Sequence, residues 1–217
     1  MDTDCVDYSD YHRCLRDLSR VNIVTFTHRP MLTWLRRRTE RMPSFSLLDV
    51  ACGYGDALRQ VHRWADRRGL EARLEGIDLN PWATRAAREA ATTPITYRTG
   101  DAFTIDPNET FDFIISSQFT HHLTDDEIVG FIRWMEMHAR HGWFIADLHR
   151  HWLPYYGFGV LAWLARWHHF VLSDGRISIA RAFVPADWRR LVRQAGLAES
   201  DVAITWHVPF RLCVARR

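Results

Sequence analysis

The sequence predicts an α/β domain in which a mostly parallel sheet carries helices on both faces. Three observations predict it. Five strand candidates recur with helical stretches between them, the alternation from which βαβ units are built. A turn holding two glycines, Cys52-Gly53-Tyr54-Gly55, stands between the first apolar run and a helix, where open α/β sheets bind ligands. The 217 residues, 47% hydrophobic and 25% charged, suit one domain that can bury a core. No repeat, linker or low-complexity run divides the chain, so residues 1–217 are expected to form one unit. Its parts are a helical cap at 1–45, a core at 46–147, and a helical lid with terminal strands at 148–217.

Residues 9 to 40 read as helical through Leu15, Leu18, Val21, Ile23, Met31, Leu32 and Leu35, with Pro30 dividing them into two helices. SLLDVA (46–51) is the first strand, and 57–68 is a helix with Leu58, Val61, Trp64 and Ala65 on one face. RLEGID (73–78) is the second strand, followed by an alanine-rich helix at 82–91 opened by Asn80-Pro81. Residues 95–98 give a third strand and FDFIIS (111–116) a fourth. A helix at 125–138 follows, with Thr124 as its N-cap, then GWFIAD (142–147) as a fifth strand. Beyond Asp147 come an apolar helix at 152–172, a polar turn at 173–176 and the run 177–183. A helix at 185–195 closed by Gly196 is followed by two strands near 200–206 and 209–215, expected as an antiparallel edge.

Composition excludes several classes. A formal charge of +2 gives no electrostatic case for nucleic acid, and the runs Arg36-Arg37-Arg38 and Arg67-Arg68 read as solvated helix faces. The four cysteines, Cys5, Cys14, Cys52 and Cys213, form no CxxC pair, so reduced thiols, no zinc site and a cytoplasmic protein are expected. The opening MDTDCVDYSDYH is too acidic and polar for a signal peptide. Arg166, His168 and His169 interrupt the apolar stretch 152–172, which argues against a membrane span and for a buried or substrate-covering helix; peripheral membrane contact stays open.

The chemistry is carried by Asp49-Val50-Ala51-Cys52-Gly53-Tyr54-Gly55. Gly53 and Gly55 let the backbone turn sharply and come close to a ligand, and Asp49 adds a carboxylate at the strand end. The spacing is not the GxGxxG of dinucleotide sites. Asp78 ends the second strand 23 residues past Gly55, where a carboxylate can accept both hydroxyls of a ribose. Gly100-Asp101-Ala102-Phe103 after the third strand is placed to meet an adenine. The competing reading makes Asp49 or Asp101 a helix cap or a surface carboxylate.

Together these segments resemble the class I S-adenosylmethionine-dependent methyltransferases: LLDVACGYGD their first motif, GIDLNP their second, TGDAF their adenine-binding segment. The resemblance covers about residues 46 to 147. It implies a Rossmann-like seven-stranded sheet, mostly parallel with a reversed last strand, under a lid formed by the N-terminal helices and the segment after the fifth strand. It implies S-adenosylmethionine as cofactor, with Gly53 and Gly55 toward its methionine part, Asp78 at the ribose, Asp101 at the adenine amino group and Ala102 flanking the ring; Asp49, Ala51, Leu79, Phe103 and Ser117 are the further cofactor-binding residues expected. One departure stands out: Ala51 occupies a usual glycine position, tolerable if its φ is negative.

Ser116-Ser117-Gln118-Phe119-Thr120-His121-His122-Leu123 lies, in that fold, beside the transferred methyl. His121 is the expected general base and His122 the structural partner; the bland alternative has the pair capping the next helix or packing beneath the cofactor. The segment lacks the Asn/Asp-Pro-Pro-aromatic sequence usual in enzymes that methylate exocyclic base amines. Trp152, Tyr155, Tyr156 and Trp163 are expected to line an apolar or aromatic acceptor, with Asn22, Phe26 and His28 closing the other side. The whole chain, with SISIARAF and PFRL, is similar to a bacterial subgroup associated with polyketide and phenolic secondary metabolism. That implies O-methylation of a phenol, quinol or carboxylic acid; separately, a monomer or homodimer is expected. C-methylation of a quinone-type substrate, or a cofactor-binding partner protein without turnover, are the alternatives. No metal is expected.

Overall fold

Strands covered on both faces need apolar side chains at successive positions, and the short runs of this chain supply them. The computed structural model describes residues 7–151 and 181–217; the helices and strands are numbered among these. Two helices, α1 (Tyr8–Val24) and α2 (Arg29–Arg38), precede the sheet. Asp7 caps α1 by accepting the Asp10 N–H at 2.9 Å. Pro30 falls in the first turn of α2, where a missing N–H costs nothing.

The alternation then runs β1 (Ser44–Val50), α3 (Asp56–Asp66), β2 (Glu71–Asp78), α4 (Pro81–Ala90), β3 (Thr96–Thr99), β4 (Phe111–Ser117), α5 (Asp125–His138), β5 (Ala139–Leu148), α6 (Pro185–Gln194), β6 (Val202–His207) and β7 (Arg211–Arg216). Thr124 caps α5 as expected, within a full capping box with Glu127.

The seven strands form one sheet in the order β3-β2-β1-β4-β5-β7-β6. β1 pairs in parallel with β2 and β4, β2 with β3, and β4 with β5. β7 runs antiparallel to both β5 and β6. The reversed last strand is therefore present, but the terminal pair is not a simple edge hairpin: β7 inserts beside β5 and leaves β6 outermost. Insertion lets β7 bury Leu212 through Val214 on both faces, while β6 keeps Trp206 half exposed.

Two apolar layers flank the sheet. On one side Leu48, Val50, Ile114, Ile145 and Val214 pack against α5 and α6, with Trp143 and Trp188 fully buried. On the other, Leu47, Leu74, Phe113, Ile115 and Phe144 meet Met31 and Leu35 of α2 and Leu58 and Val61 of α3. α1 rests on α4 through Tyr11, Leu15, Ala83 and Ala86. The strand order reverses direction between β1 and β4, which opens a crevice at their carboxyl ends. No helix among the described residues is long and apolar enough to cross a membrane; the apolar helix expected at 152–172 lies outside them.

Candidate active site

The glycine turn occupies that crevice. Gly53 and Gly55 have φ of +51° and +70°, backbone that side chains rarely adopt. A Cβ on Gly55 would sit 2.7 Å from Cε1 of Tyr97, whereas one on Gly53 would meet nothing within 4 Å. Gly55 is thus needed for packing, and Gly53 leaves open space beside the backbone. Ala51 corrects an expectation: its φ is +57°, not negative. Its methyl sits in the left-handed region at a cost of about 1 kcal/mol. Ala51→Gly is therefore expected to raise unfolding stability by about 1 kcal/mol or somewhat less, glycine's looser unfolded state offsetting part of the gain. Urea denaturation checks it.

Asp78 ties the turn to the second strand. Its Oδ2 accepts the Gly53 N–H at 2.9 Å, and its Oδ1 accepts the Asn80 N–H at 2.9 Å. Its carbonyl oxygen accepts the Gly100 N–H at 2.9 Å, which fixes the start of the third motif against the second. Asp101 is half-buried, and its carboxylate accepts the Phe103 N–H at 2.9 Å, capping a short 3-10 turn at Ala102–Thr104. The capping reading of Asp101 therefore holds in this structure, and no contact joins its carboxylate to Asp49 or Asp78. Ala102 is buried; Leu79 and Phe103 are exposed, and the ring of Phe103 meets those of Phe131 and Trp134 edge-on.

Asp49 is the electrostatic anomaly. It is 2% exposed, and its Oδ1 has no hydrogen-bond partner. Burial, then the charges of Asp56 and Asp78, push its carboxyl well above the ordinary range. Asp56, in the first turn of α3, is the opposite case. Burial would raise it, but His28 Nε2 at 2.8 Å and the Asn22 amide N–H at 3.0 Å outweigh burial and hold it below its usual value. A buried acid surrounded by further acids is a site that favours a cation.

At the end of β4 the chain turns through Gln118, whose φ is +56°. The Ser117 hydroxyl is buried without a partner. Gln118 donates from Nε2 to Asn22 Oδ1 at 2.7 Å, linking the sheet to the last turn of α1. Beyond it, His121 Nδ1 lies 2.7 Å from Oδ1 of Asp147, a fully buried residue of β5. Asp147 Oδ2 also takes the Thr120 hydroxyl and the His121 N–H, and Oδ1 takes the Leu148 N–H at 2.7 Å. Burial would raise the Asp147 pKa, but His121 and these donors outweigh it and keep it low. An ionised carboxylate only accepts, so His121 carries its proton on Nδ1 and offers a lone pair at Nε2 when neutral. Helix capping, the alternative role for the pair, is performed by Thr124 instead. His122 is exposed, its ring 4.2 Å from that of His121, and both line a cavity of about 430 Å³ with Arg150, Arg181 and Phe183.

The structure thus gathers Asp49, Gly53, Gly55, Asp78, Ser117 and, through Asp56 and Gln118, Asn22 and His28. Phe26 is exposed in the loop between α1 and α2, with φ +51°. Trp152, Tyr155, Tyr156 and Trp163 lie outside the described residues. Sequence reasoning missed Asp56, Gln118 and Arg211. Asp56 was signalled by an acid directly after the turn glycine; the others by nothing local. Among the described residues, no three His, Cys, Asp or Glu side chains gather as a metal site.

Residues 47–142, the stretch from β1 into β5, match the family model described as a methyltransferase domain. No curated protein matches the chain. Among solved structures it is similar to the plantazolicin methyltransferase in complex with S-adenosylhomocysteine, with a TM-score of 0.68 and 12% identity over 96% of this chain and 88% of that one. Human N-acetylserotonin methyltransferase gives 0.66 and 14%, over 97% of this chain but 56% of that one, so the chain spans little more than half its length. Magnesium protoporphyrin IX methyltransferase from Synechocystis PCC 6803 gives 0.58 and 15%, over 88% and 81%. At these identities the likenesses establish the fold alone, which this chain shares with those methyltransferases.

Proposed function

We propose that this chain, whose residues 47–142 match a methyltransferase-domain model, transfers a methyl group from S-adenosylmethionine to a hydroxyl of a small aromatic acceptor. The observation that carries the reading is Asp49: a buried carboxyl with an unpartnered oxygen, beside Asp56 and Asp78, at the turn where the sheet's crevice opens. The residues fit a ligand that pairs positive charge with a nucleoside. Asp49 faces the charge, Gly53 leaves room for the chain, and Asp78 takes the ribose by exchanging backbone donors for hydroxyls. Asp101 with Ala102 and Phe103 takes the adenine. When bound, the cofactor supplies an electrophilic methyl on a sulfonium and leaves as S-adenosylhomocysteine.

The remaining chemistry belongs to the chain. A neutral hydroxyl must lose its proton as its oxygen attacks the methyl carbon, and a base within reach lowers that barrier. His121 is that base: Asp147 holds the ring by Nδ1 and stabilises the imidazolium that forms as Nε2 takes the proton. An oriented His–Asp pair favours an enzyme over a binding partner without turnover, and favours an acceptor with a proton to lose. The names of two structural neighbours, for N-acetylserotonin and magnesium protoporphyrin IX, support a small-molecule acceptor.

Mass spectrometry of the full chain with S-adenosylmethionine and a panel of phenols, quinols and aromatic acids tests the reading. It predicts S-adenosylhomocysteine release matched by one added methyl on oxygen; methyl on carbon, or no product with any acceptor, would contradict it. A pH dependence also follows. The native state holds a proton on Asp49 that the unfolded state has lost, so this group's contribution to stability falls as pH rises out of the ordinary carboxylate range toward its raised value. A cation bound there favours the ionised acid. Cofactor affinity is therefore expected to rise with pH across the same window with proton release, read by calorimetry in two buffers of different ionisation enthalpy.

A further inference from the structure

Arg211, the first residue of β7, is 5% exposed and has no carboxylate within ion-pair distance among the described residues. Among the described residues its guanidinium donates only to neutral oxygens: Thr27 Oγ1 at 2.9 Å, Thr25 Oγ1 at 3.4 Å and Gln118 Oε1 at 3.4 Å. Two of these are long, and Nε is buried with no partner. Burial pulls its pKa down to about 10, with the charge of Asp147 working against the fall, so it is still a cation at neutral pH. A buried guanidinium served by hydroxyls and one amide carries a large desolvation penalty that an anion would offset.

Its position says which anion. β7 runs against the parallel strands, so its first residue lies at their carboxyl ends, where Leu148 pairs with Arg211 and Asp147 with Leu212. In a pleated sheet, Arg211 shares a face with Cys213 and Ala215, whose layer holds Leu47 and Ile115, two positions before Asp49 and Ser117. The unpartnered atoms of Asp49, Ser117 and Arg211 thus stand on one face of one sheet edge. β7 is three strand spacings from β1, about 14 Å, so Arg211 lies across β4 and β5 from the glycine turn, on the side away from the cofactor's ribose.

Resting on the methyltransferase reading above, we infer that Arg211 binds a carboxylate of the acceptor, which is then an aromatic hydroxy acid methylated on its hydroxyl. A planar guanidinium with free donor capacity matches a carboxylate in two-point geometry, and lysine would not reproduce the fork. Gln118 and the threonine hydroxyls hold Arg211 in place until the acid arrives.

The test uses hydroxybenzoic and hydroxynaphthoic acids, each beside its methyl ester, titrated against the full chain saturated with S-adenosylhomocysteine. At least one acid is expected to bind tenfold or more tightly than its ester. Arg211→Met should erase that preference with S-adenosylhomocysteine affinity unchanged, and Arg211→Lys should restore part of it. A purely structural strut would weaken acid and ester alike. The inference is overturned if no acid is preferred by the native chain, if Arg211→Met keeps the preference, or if that variant loses cofactor affinity instead, which would assign Arg211 to the donor's carboxylate. The native acid-against-ester comparison decides even if the methionine variant does not fold. Failure of the underlying reading looks different: the native chain would not bind S-adenosylhomocysteine at all.

Discussion

His121→Asn is expected to lower kcat for a hydroxyl acceptor by about 10² to 10⁴-fold, the range that a positioned general base contributes. Asparagine can still donate a side-chain N–H to Asp147, so the buried carboxylate keeps a partner and the fold should survive. Cofactor affinity should stay within threefold, because the ring contacts Asp147 and His122 and none of the residues around the glycine turn. The pH profile separates a base from a packing residue. With the base gone, turnover should climb with pH as more acceptor ionises on its own; with His121 present, the rate should already be high near neutrality. Full turnover by the asparagine variant across the neutral range would remove His121 from the chemistry. Asp147→Asn should act in the same direction, and the double variant should fall little further, since the two act as one unit.

The second large effect is at Asp78. Alanine there removes the acceptor for the Gly53 and Asn80 N–H groups at once. Hydrogen bonds to a charged group contribute about 1.5–3 kcal/mol, so a stability loss of that order is expected from thermal or urea unfolding. If the same carboxylate takes the ribose, affinity for S-adenosylhomocysteine should fall by about 10- to 100-fold, one decade for every 1.4 kcal/mol lost. Asp101→Ala offers a contrast. It removes only the cap of a three-residue turn, so stability should barely move, while adenine selectivity should drop.

Much of the core was legible because its signals are local. Parallel strands buried on both faces read as apolar runs, and β1, β2 and β4 were recognisable within two residues of their ends. The helix at 125–138 was placed to the residue because Thr124 and Glu127 make a capping box that the sequence spells out. β5 begins three residues earlier than the apolar run because Ala139 already pairs with Phe111, while Arg140 and His141 sit exposed at an irregularity in the pairing, which hydrophobicity does not report. The place of β7 between β5 and β6 depends on pairing across the chain, and no local pattern encodes it.

The site divides in the same way. Asp49, the turn glycines and Asp78 declare themselves by spacing after strands. The network of Asp56 with Asn22 and His28, and of Arg211 with Gln118, Thr25 and Thr27, joins residues 28 to 186 positions apart, so only the folded chain shows it. Asp147 was visible as the end of a strand, but its role appears only when His121 is found against it. Ala51 shows the limit of a residue-type argument: its backbone conformation is set by the turn, and the methyl is tolerated at a cost.

The most direct test of the central claim, that acids at the ends of β1 and β2 hold a nucleoside donor in the glycine turn, is a calorimetric titration of the full chain with S-adenosylhomocysteine, repeated on Asp78→Ala. Saturable binding at one site per chain, weakened at least tenfold by the substitution, is the predicted result. An absence of binding heat in any buffer, or equal affinity in both proteins, would contradict it.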